Sequence, residues 1–395
     1  MSLQDTPRAS RLHIGIFGRR NSGKSSLLNA ITGHSFAVVS DVAGTTTDPV
    51  YKSMELHGVG PVVWVDTAGF DDEGDLGALR IQKTEDAMSR TDIALLLFTD
   101  FSKMEQDYMD QLLQKGIPVI PIISQVDIRS NVDALSAQIE GKYHRRALRV
   151  SAITGKGIAE VREELIRLLP EDYQAESITA HLVQPGDTVL LVMPQDIQAP
   201  KGRLILPQVQ TTRDLLDLKC VIISCTVETM EQALAALSAP PKLIITDSQA
   251  FAPVYAHKPA ESLLTSFSAL YARYKGDIDQ FVKGAEAIDS LTEASHILIA
   301  EACTHAPLTE DIGRIKIPKL LRKRVGEGLS IDFVRGSDFP QDLSQYDLII
   351  HCGACMFNRR YVLDRLARAE AQNVPMCNYG IAIAHLNGIL DKIVY

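Results

Sequence analysis

The feature that most constrains this chain is the segment Gly18-Arg-Arg-Asn-Ser-Gly-Lys-Ser25, which fits the pattern G-x-x-x-x-G-K-[ST] at every fixed position. An apolar run of strand type at 12–17 precedes it, and a helix-like pattern at 26–31 follows. Glycines let backbone N–H groups turn around a phosphate, and the helix N-terminus adds a favourable dipole. The segment therefore predicts a strand–loop–helix unit that binds phosphate, within a doubly wound α/β sheet spanning 12–169.

The motif also predicts which groups the residues of this loop bind. Lys24 is expected to contact the β- and γ-phosphates, and the Ser25 hydroxyl to ligate Mg²⁺. The full set of loop residues predicted to bind a nucleotide is Gly18, Asn21, Ser22, Gly23, Lys24, Ser25 and Ser26.

A second motif, Asp66-Thr-Ala-Gly69, directly follows a buried-strand pattern at 62–65. Alone the tetrapeptide is weak evidence, but about forty residues after a phosphate loop it is the expected partner. We expect the Asp66 carboxylate to hold the Mg²⁺ shell and the Gly69 N–H to contact the γ-phosphate.

The composition favours a cytoplasmic protein of two or three domains. The chain has 395 residues, of which 46% are hydrophobic and 23% charged, as is usual for globular proteins. Its net charge of −9 argues against a general nucleic-acid or membrane-surface binder. The first ten residues lack the apolar core of a signal peptide, and no apolar run reaches transmembrane length. We expect no nucleic-acid partner and no membrane.

The first domain, placed at 8–170, resembles the translation-factor-class GTPases. Its segment Gly44-Thr-Thr-Thr-Asp48 is similar to switch I of the Era-like and tRNA-modification branch. The resemblance implies binding of GTP and GDP, with Thr46 ligating Mg²⁺. It also implies that Asp127 reads the guanine edge and that Ser151-Ala152 closes over the base.

The guanine motif departs from this family. The family has N-K-x-D, whereas this chain has Ser124-Gln125-Val126-Asp127. A carboxylate that accepts from guanine N1–H and its 2-amino group still discriminates against adenine. We therefore expect guanine specificity with weakened binding, and Gln125 at the place of the lysine.

Two positions bear on the rate of hydrolysis. Phe70 stands where Ras-like proteins carry the glutamine that orients the attacking water. Asn21 matches the asparagine that holds K⁺ in potassium-activated relatives, although asparagine also suits a loop without that role. We expect slow, K⁺-stimulated hydrolysis of GTP to GDP and phosphate. The predicted catalytic residues are Lys24, Asn21, Thr46, Asp66 and Gly69.

A middle domain is placed at 181–262. Short strand-like runs at 188–193, 203–206, 220–225 and 243–246 are separated by a helix-like stretch at 229–237. Cys220 and Cys225 are interpreted as packing residues. Because the segment carries no catalytic constellation, it is interpreted as a small α/β oligomerisation domain.

The third domain, placed at 263–395, contains a candidate metal site. After an amphipathic helix predicted at 259–276 come strands at 297–300, 331–334 and 347–350. Cys303-Thr-His305 follows the first strand and His351-Cys-Gly-Ala-Cys355 the last. Ligands bind outside the carboxyl ends of strands in open α/β sheets, so these loops can converge. The residues alone leave open a zinc site with three cysteines and one histidine, or a cubane iron–sulfur cluster with one exchangeable ligand.

The combination resembles the HydF family of FeFe-hydrogenase maturation GTPases. The paired C-x-H and H-C-x-x-C motifs are its most specific part, and the resemblance covers nearly the whole chain. It implies three α/β domains: a Ras-like or Era-like GTPase fold, a dimerisation domain and an iron–sulfur cluster domain. The implied cofactor is a 4Fe-4S cluster on Cys303, Cys352 and Cys355, with a labile fourth position for His351, His305 or another group.

The same resemblance implies a homodimer that acts as a scaffold. It would receive a diiron precursor made by two radical-SAM maturases and deliver it to apo-hydrogenase. The rival interpretation is a GTPase of the Era or tRNA-modification type whose third domain is a zinc-stabilised interaction module.

Overall fold

The computed structural model describes residues 8–33, 50–56, 58–67, 83–169, 177–194, 204–302, 312–354 and 356–395. The predictions for Thr46, Gly69, Cys303, His305 and Cys355 therefore lie outside the described residues, as do those for switch I and Phe70. The chain divides into two compact units, 1–175 and 176–395, and each is described by itself.

In the first unit, the described strands form one sheet. They are β1 (Leu12–Gly18), β2 (Val50–Leu56), β3 (Gly60–Asp66), β4 (Ile93–Phe98), β5 (Val119–Ile123) and β6 (Leu148–Arg149). Their order is β2-β3-β1-β4-β5-β6, with β2 antiparallel to β3 and the other neighbours parallel. Such central parallel strands are covered on both faces and are therefore almost continuously apolar.

Helices cover both faces of this sheet. They are Lys24–Thr32, Lys103–Gln114, Val132–Tyr143 and Ile158–Arg167, with a further helix over residues 83–89. Side chains of β1 alternate between two cores: Ile14 and Ile16 pack in one, and Phe17 in the other. This period of two is the one that a strand imposes. Ser102 and Glu105 form a capping box at the start of Lys103–Gln114, and burial raises the pKa of Glu105 to about 7.

The second unit begins with a parallel sheet in the order β10-β9-β7-β8. Its strands are β7 (Thr188–Val192), β8 (Val221–Cys225), β9 (Leu243–Thr246) and β10 (Leu263–Ser266). The helices that accompany it are Leu206–Asp217, Met230–Ala235, Phe251–His257 and Phe267–Lys275.

Two sequence predictions in this region are wrong. Of the strand predicted at 203–206, the described residues 204–206 form no strand, because Leu206 begins a helix with Pro207 in its first turn, where proline is tolerated. The helix predicted at 259–276 starts only at Phe267, since 263–266 pairs with β9 as a strand. Ser266 caps that helix by accepting a hydrogen bond from the backbone N–H of Ala269.

The second unit also contains a parallel sheet in the order β12-β11-β13-β14. Its strands are β11 (His296–Glu301), β12 (Ser330–Arg335), β13 (Leu348–His351) and β14 (Met376–Asn378), with helices Ile278–Glu286, Ile317–Val325, Arg359–Ala371 and Tyr379–Leu386. One apolar core joins this sheet to the preceding one. The strands predicted at 297–300, 331–334 and 347–350 are confirmed, apart from a shift of one residue in the last.

Candidate functional site

The phosphate loop leaves β1 through backbone conformations that few residues adopt. Gly18 has a φ of 154°, Asn21 of 58° and Gly23 of 92°. Glycine reaches positive φ without cost, and asparagine tolerates it better than most side chains. A Cβ on Gly18 would lie 2.7 Å from the Ser22 hydroxyl, so glycine is required there. Gly23 is the N-cap of Lys24–Thr32, and the loop therefore turns directly into the helix.

Lys24 is positioned by the loop that it serves. Its side chain is almost fully buried, with Nζ donating to the carbonyls of Gly18 at 2.9 Å and Arg19 at 2.7 Å. These carbonyls hold the ammonium group beside the loop, where its positive charge would attract a phosphate. The Ser22 hydroxyl is also buried there, without a partner among the described groups.

The two described groups predicted to hold Mg²⁺ lie together. The Ser25 hydroxyl donates to Oδ2 of Asp66 at 3.3 Å. Burial raises the pKa of Asp66, and the positive charge of Lys24 works against that shift. A divalent cation would stabilise the ionised form of this buried carboxylate. Next to it, the Thr67 hydroxyl donates to the carbonyl of Ile16 at 2.7 Å and fixes the end of β3 beside β1.

A cavity beside the phosphate loop, the base cavity, lies where the base is predicted to bind. It is lined by Gly23, Ser26, Leu27, Ile122, Ser124, Gln125, Asp127, Val150, Ala152 and Ile153. Asp127 and Ala152 therefore line the same cavity as Ser26, and their contacts with a base stay predictions. Ser151 is fully buried, and its hydroxyl accepts from the N–H of Thr154 at 3.2 Å. It shapes the turn that carries Ala152.

Gln125 connects this cavity to the phosphate loop. Its Nε2 donates to the carbonyl of Asn21 at 3.0 Å. Arg129, which the sequence analysis missed, donates from Nη2 to Oε1 of Gln125 at 2.9 Å. The available signal was a cation two residues after Asp127 in a motif that lacks its lysine.

The candidate metal site is described only in part. β11 and β13 are adjacent and parallel, with Ala300 opposite His351, so the loops that follow them leave the same edge of the sheet. The Cys352 Sγ accepts from the backbone N–H of Ala302 at 3.0 Å, which joins the two loops. Within the residues described, no three His, Cys, Asp or Glu side chains are grouped to hold a metal.

His351 is buried and both of its ring nitrogens are engaged. Arg365 donates from Nη1 to Nε2 at 2.9 Å, and Nδ1 lies 2.7 Å from the carbonyl of Cys352. A guanidinium can only donate, so Nε2 accepts and Nδ1 carries the proton. Burial, followed by the charge of Arg365, lowers the pKa of His351 to about 3. For His351 to bind a metal through Nε2, it would have to lose the hydrogen bond that Nε2 accepts from Arg365.

Arg365 was not predicted from the sequence. It lies on Arg359–Ala371 and is 1% exposed, with the rings of Phe339, Phe357 and Tyr361 each 4.7 Å from its guanidinium carbon. Aromatic faces stabilise such a buried cation. Arg365 also donates to the carbonyl of Gly336, so His351 is held by a well-anchored group.

The phosphate loop, the Asp66 carboxylate and the base cavity define a GTPase domain. Residues 13–125 match the family described as 50S ribosome-binding GTPase. Residues 178–276 match the hydrogen maturase F dimerization domain, and residues 279–395 match the hydrogen maturase F tetramerization domain. The chain belongs to the hydrogen maturase F family, and the resemblance seen in its sequence is confirmed. The three-domain α/β architecture is confirmed with it.

Two curated relatives each match about two fifths of this chain. GTPase Der of Wolinella succinogenes is 34% identical over 177 residues, covering 42% of this chain and 37% of that protein. The tRNA modification GTPase MnmE of Paraburkholderia xenovorans is 33% identical over 170 residues, covering 42% and 36%. The chain thus spans little more than a third of these relatives' length. The solved structure of Aquifex aeolicus Era is 18% identical with a TM-score of 0.37, covering 57% of this chain and 98% of that one.

None of the helices in the described ranges is both long and apolar enough to cross a membrane.

Proposed function

We propose that this protein is a GTP-hydrolysing scaffold that carries a 4Fe-4S cluster. On or near that cluster it assembles the diiron precursor of FeFe-hydrogenase and then transfers it to apo-hydrogenase. The observation that carries the proposal is the Cys352 thiol, which accepts an N–H at the shared edge of β11 and β13 in a chain of this family. The proposed partners are the radical-SAM maturases and apo-hydrogenase, in the cytoplasm.

The donor set fits an iron–sulfur cluster. Cys303, Cys352 and Cys355 would supply three thiolates, the ligand type that such clusters prefer. Backbone N–H groups that donate to the sulfurs are a usual part of such sites, and the Ala302 N–H already does so. The cluster would supply an iron with an exchangeable ligand. In the arrangement described, His351 is held by Arg365 and leaves that position to another group.

Iron loading tests this proposal. Protein purified without oxygen, or reconstituted with iron and sulfide, is expected to take up about four irons per chain and to give a reduced-cluster EPR signal. Stoichiometric zinc without iron uptake would instead support the rival function, a GTPase with a zinc-stabilised interaction domain, because three cysteines and a histidine also suit zinc.

For GTP hydrolysis we propose roles that follow the described geometry. Lys24 neutralises charge on the phosphates, Ser25 and Asp66 hold Mg²⁺, and Asp127 reads guanine. Thr46 and Gly69 are proposed to complete the Mg²⁺ and γ-phosphate contacts. Asn21 is proposed to hold K⁺. The bound K⁺ would add a second positive charge near the phosphates, beside that of Lys24.

Oligomerisation is proposed to use the edge of the first sheet in the second unit. β8 is an edge strand of that sheet, and its first residue, Val221, is 52% exposed. An exposed apolar edge strand can pair with a second copy of itself. This interface supports the homodimer expected from the sequence, and the names of the matched families agree with an oligomer.

Substituting Val221→Lys is expected to halve the mass in solution, because a charged side chain on an edge strand opposes pairing. Light scattering measures the mass, and Val221→Thr is the control that keeps a β-branched side chain without the charge. The deletion of a whole strand region is a poorer test, since β9 pairs with β10 and the core is shared with the neighbouring sheet. An unchanged mass in Val221→Lys would place the interface elsewhere.

A further inference from the structure

The guanine motif of this chain has Gln125 in place of the family's lysine. The loop that contains this motif, the base loop, is nevertheless joined to the phosphate loop by a hydrogen bond. The backbone of Gln125 has a φ of 59°, and its Nε2 reaches the carbonyl of Asn21 at 3.0 Å. The two residues are 104 positions apart in sequence. This single hydrogen bond therefore joins the loop that reads the base to the residue proposed to hold K⁺.

A carboxamide can make this bond only when its nitrogen faces the carbonyl. Either end of a glutamine amide fits the same space, so its orientation is set by its other partners. Here the other partner is Arg129, whose Nη2 lies 2.9 Å from Oε1 of Gln125. A guanidinium has no acceptor atom, and the oxygen must therefore face Arg129 while the nitrogen faces Asn21.

Arg129 is itself held in place by the backbone. Its Nε donates to the carbonyl of Ser124 at 3.0 Å, and its Nη1 donates to the carbonyl of Thr99 at 2.7 Å. Together with Gln125, these two carbonyls give the guanidinium group three acceptors, one for each of its nitrogens. Thr99 is followed by Asp100, whose carboxylate pairs with Arg19 of the phosphate loop at 2.8 Å.

We propose that Arg129 is a positioning residue for nucleotide binding. It orients Gln125, which stands at the place of the family's lysine, so that Gln125 hydrogen-bonds Asn21 and joins the base loop to the phosphate loop. Arg129 is not one of the residues that line the base cavity, whereas Gln125 is, so Arg129 acts through Gln125. The affinities for GDP and for GTP should both depend on Arg129, since the hydrogen bond between Gln125 and Asn21 does not involve the γ-phosphate.

The test is a double-mutant cycle on GDP affinity, measured with a fluorescent GDP analogue. In the natural background, Arg129→Ala is expected to weaken binding about tenfold, the effect of losing one charge-assisted contact. In the background of Gln125→Lys, the same change is expected to cost less than about twofold, because a lysine has only donors and needs no orientation. Arg146→Ala, an exposed arginine in the same unit, is the control.

A purely structural role for Arg129 predicts a different pattern. The loss would then be equal in both backgrounds, and that result would overturn the proposal. Gln125→Glu gives a second, independent measurement. The carboxylate can still accept from Arg129 but cannot donate to the carbonyl of Asn21, so its affinity is expected to fall as far as that of Arg129→Ala. Affinity like that of the natural protein would show that the tie contributes nothing.

Discussion

Replacing Lys24 with alanine is expected to abolish measurable GTP hydrolysis, with a loss on the order of a hundredfold to a thousandfold or more. The ammonium group is nearly buried and held by the carbonyls of Gly18 and Arg19. Without it, the charge that develops on the phosphates loses the lysine predicted to neutralise it, and the two carbonyls lose their donor. Phosphate release at saturating GTP and Mg²⁺ measures the rate.

Lys103→Ala is the matched control, because Lys103 is an exposed lysine at the start of a helix in the same unit. It should hydrolyse GTP like the natural protein. The same assay, run in KCl and in NaCl at equal ionic strength, includes the proposed K⁺ site at Asn21. The natural protein should be faster in KCl and Lys24→Ala inactive in both salts. Equal rates in the two salts would remove K⁺ from the mechanism, and an active Lys24→Ala would remove the site.

The nucleotide site could be predicted because most of its residues lie in contiguous motifs. A phosphate loop reads as a strand, a turn and a helix over a short stretch, and the backbone conformations at Gly18 and Gly23 require the glycines that the pattern records. What the sequence could not supply is the set of contacts between motifs. The bond from Gln125 to Asn21 depends on the fold bringing two distant loops together.

Short apolar runs were the weakest part of the sequence prediction. Leu263 and Leu264 suit one face of a helix as well as a strand, and over four residues periodicity does not decide. The neighbouring strand β9 decides, because pairing with it satisfies the backbone of 263–266. The same limit applies to 203–206, where Leu206 and Pro207 belong to the first turn of a helix.

Residue type alone also leaves the role of His351 open. A histidine beside Cys352 predicts a metal ligand, and this role of His351 stays a prediction. The structure adds Arg365, fourteen residues further along the chain, which occupies Nε2 of the imidazole. No local pattern in the sequence indicates such a pair, since the strand β13 and the helix Arg359–Ala371 bring it together through the packing of the third sheet.

Replacing Cys352 with serine is expected to remove the cluster iron proposed for the natural protein, and with it the proposed activation of hydrogenase. A serine hydroxyl is a poor ligand for cluster iron compared with a thiolate. The change also removes the sulfur that accepts from Ala302 and joins the loops after β11 and β13. GTP hydrolysis should persist, because Cys352 and the phosphate loop belong to different compact units. Iron content after anaerobic reconstitution is the measurement.

Cys225→Ser is the control, since Cys225 is a half-buried cysteine like Cys352 but lies on β8. It should keep its iron. His351→Gln separates the thiolate from the imidazole: a carboxamide oxygen can still accept from the buried Arg365, so the fold is preserved. Because Arg365 already holds His351, this variant should retain the cluster. Loss of iron in His351→Gln equal to that in Cys352→Ser would make the imidazole an obligatory ligand, and iron retained in Cys352→Ser would exclude Cys352 as an essential one.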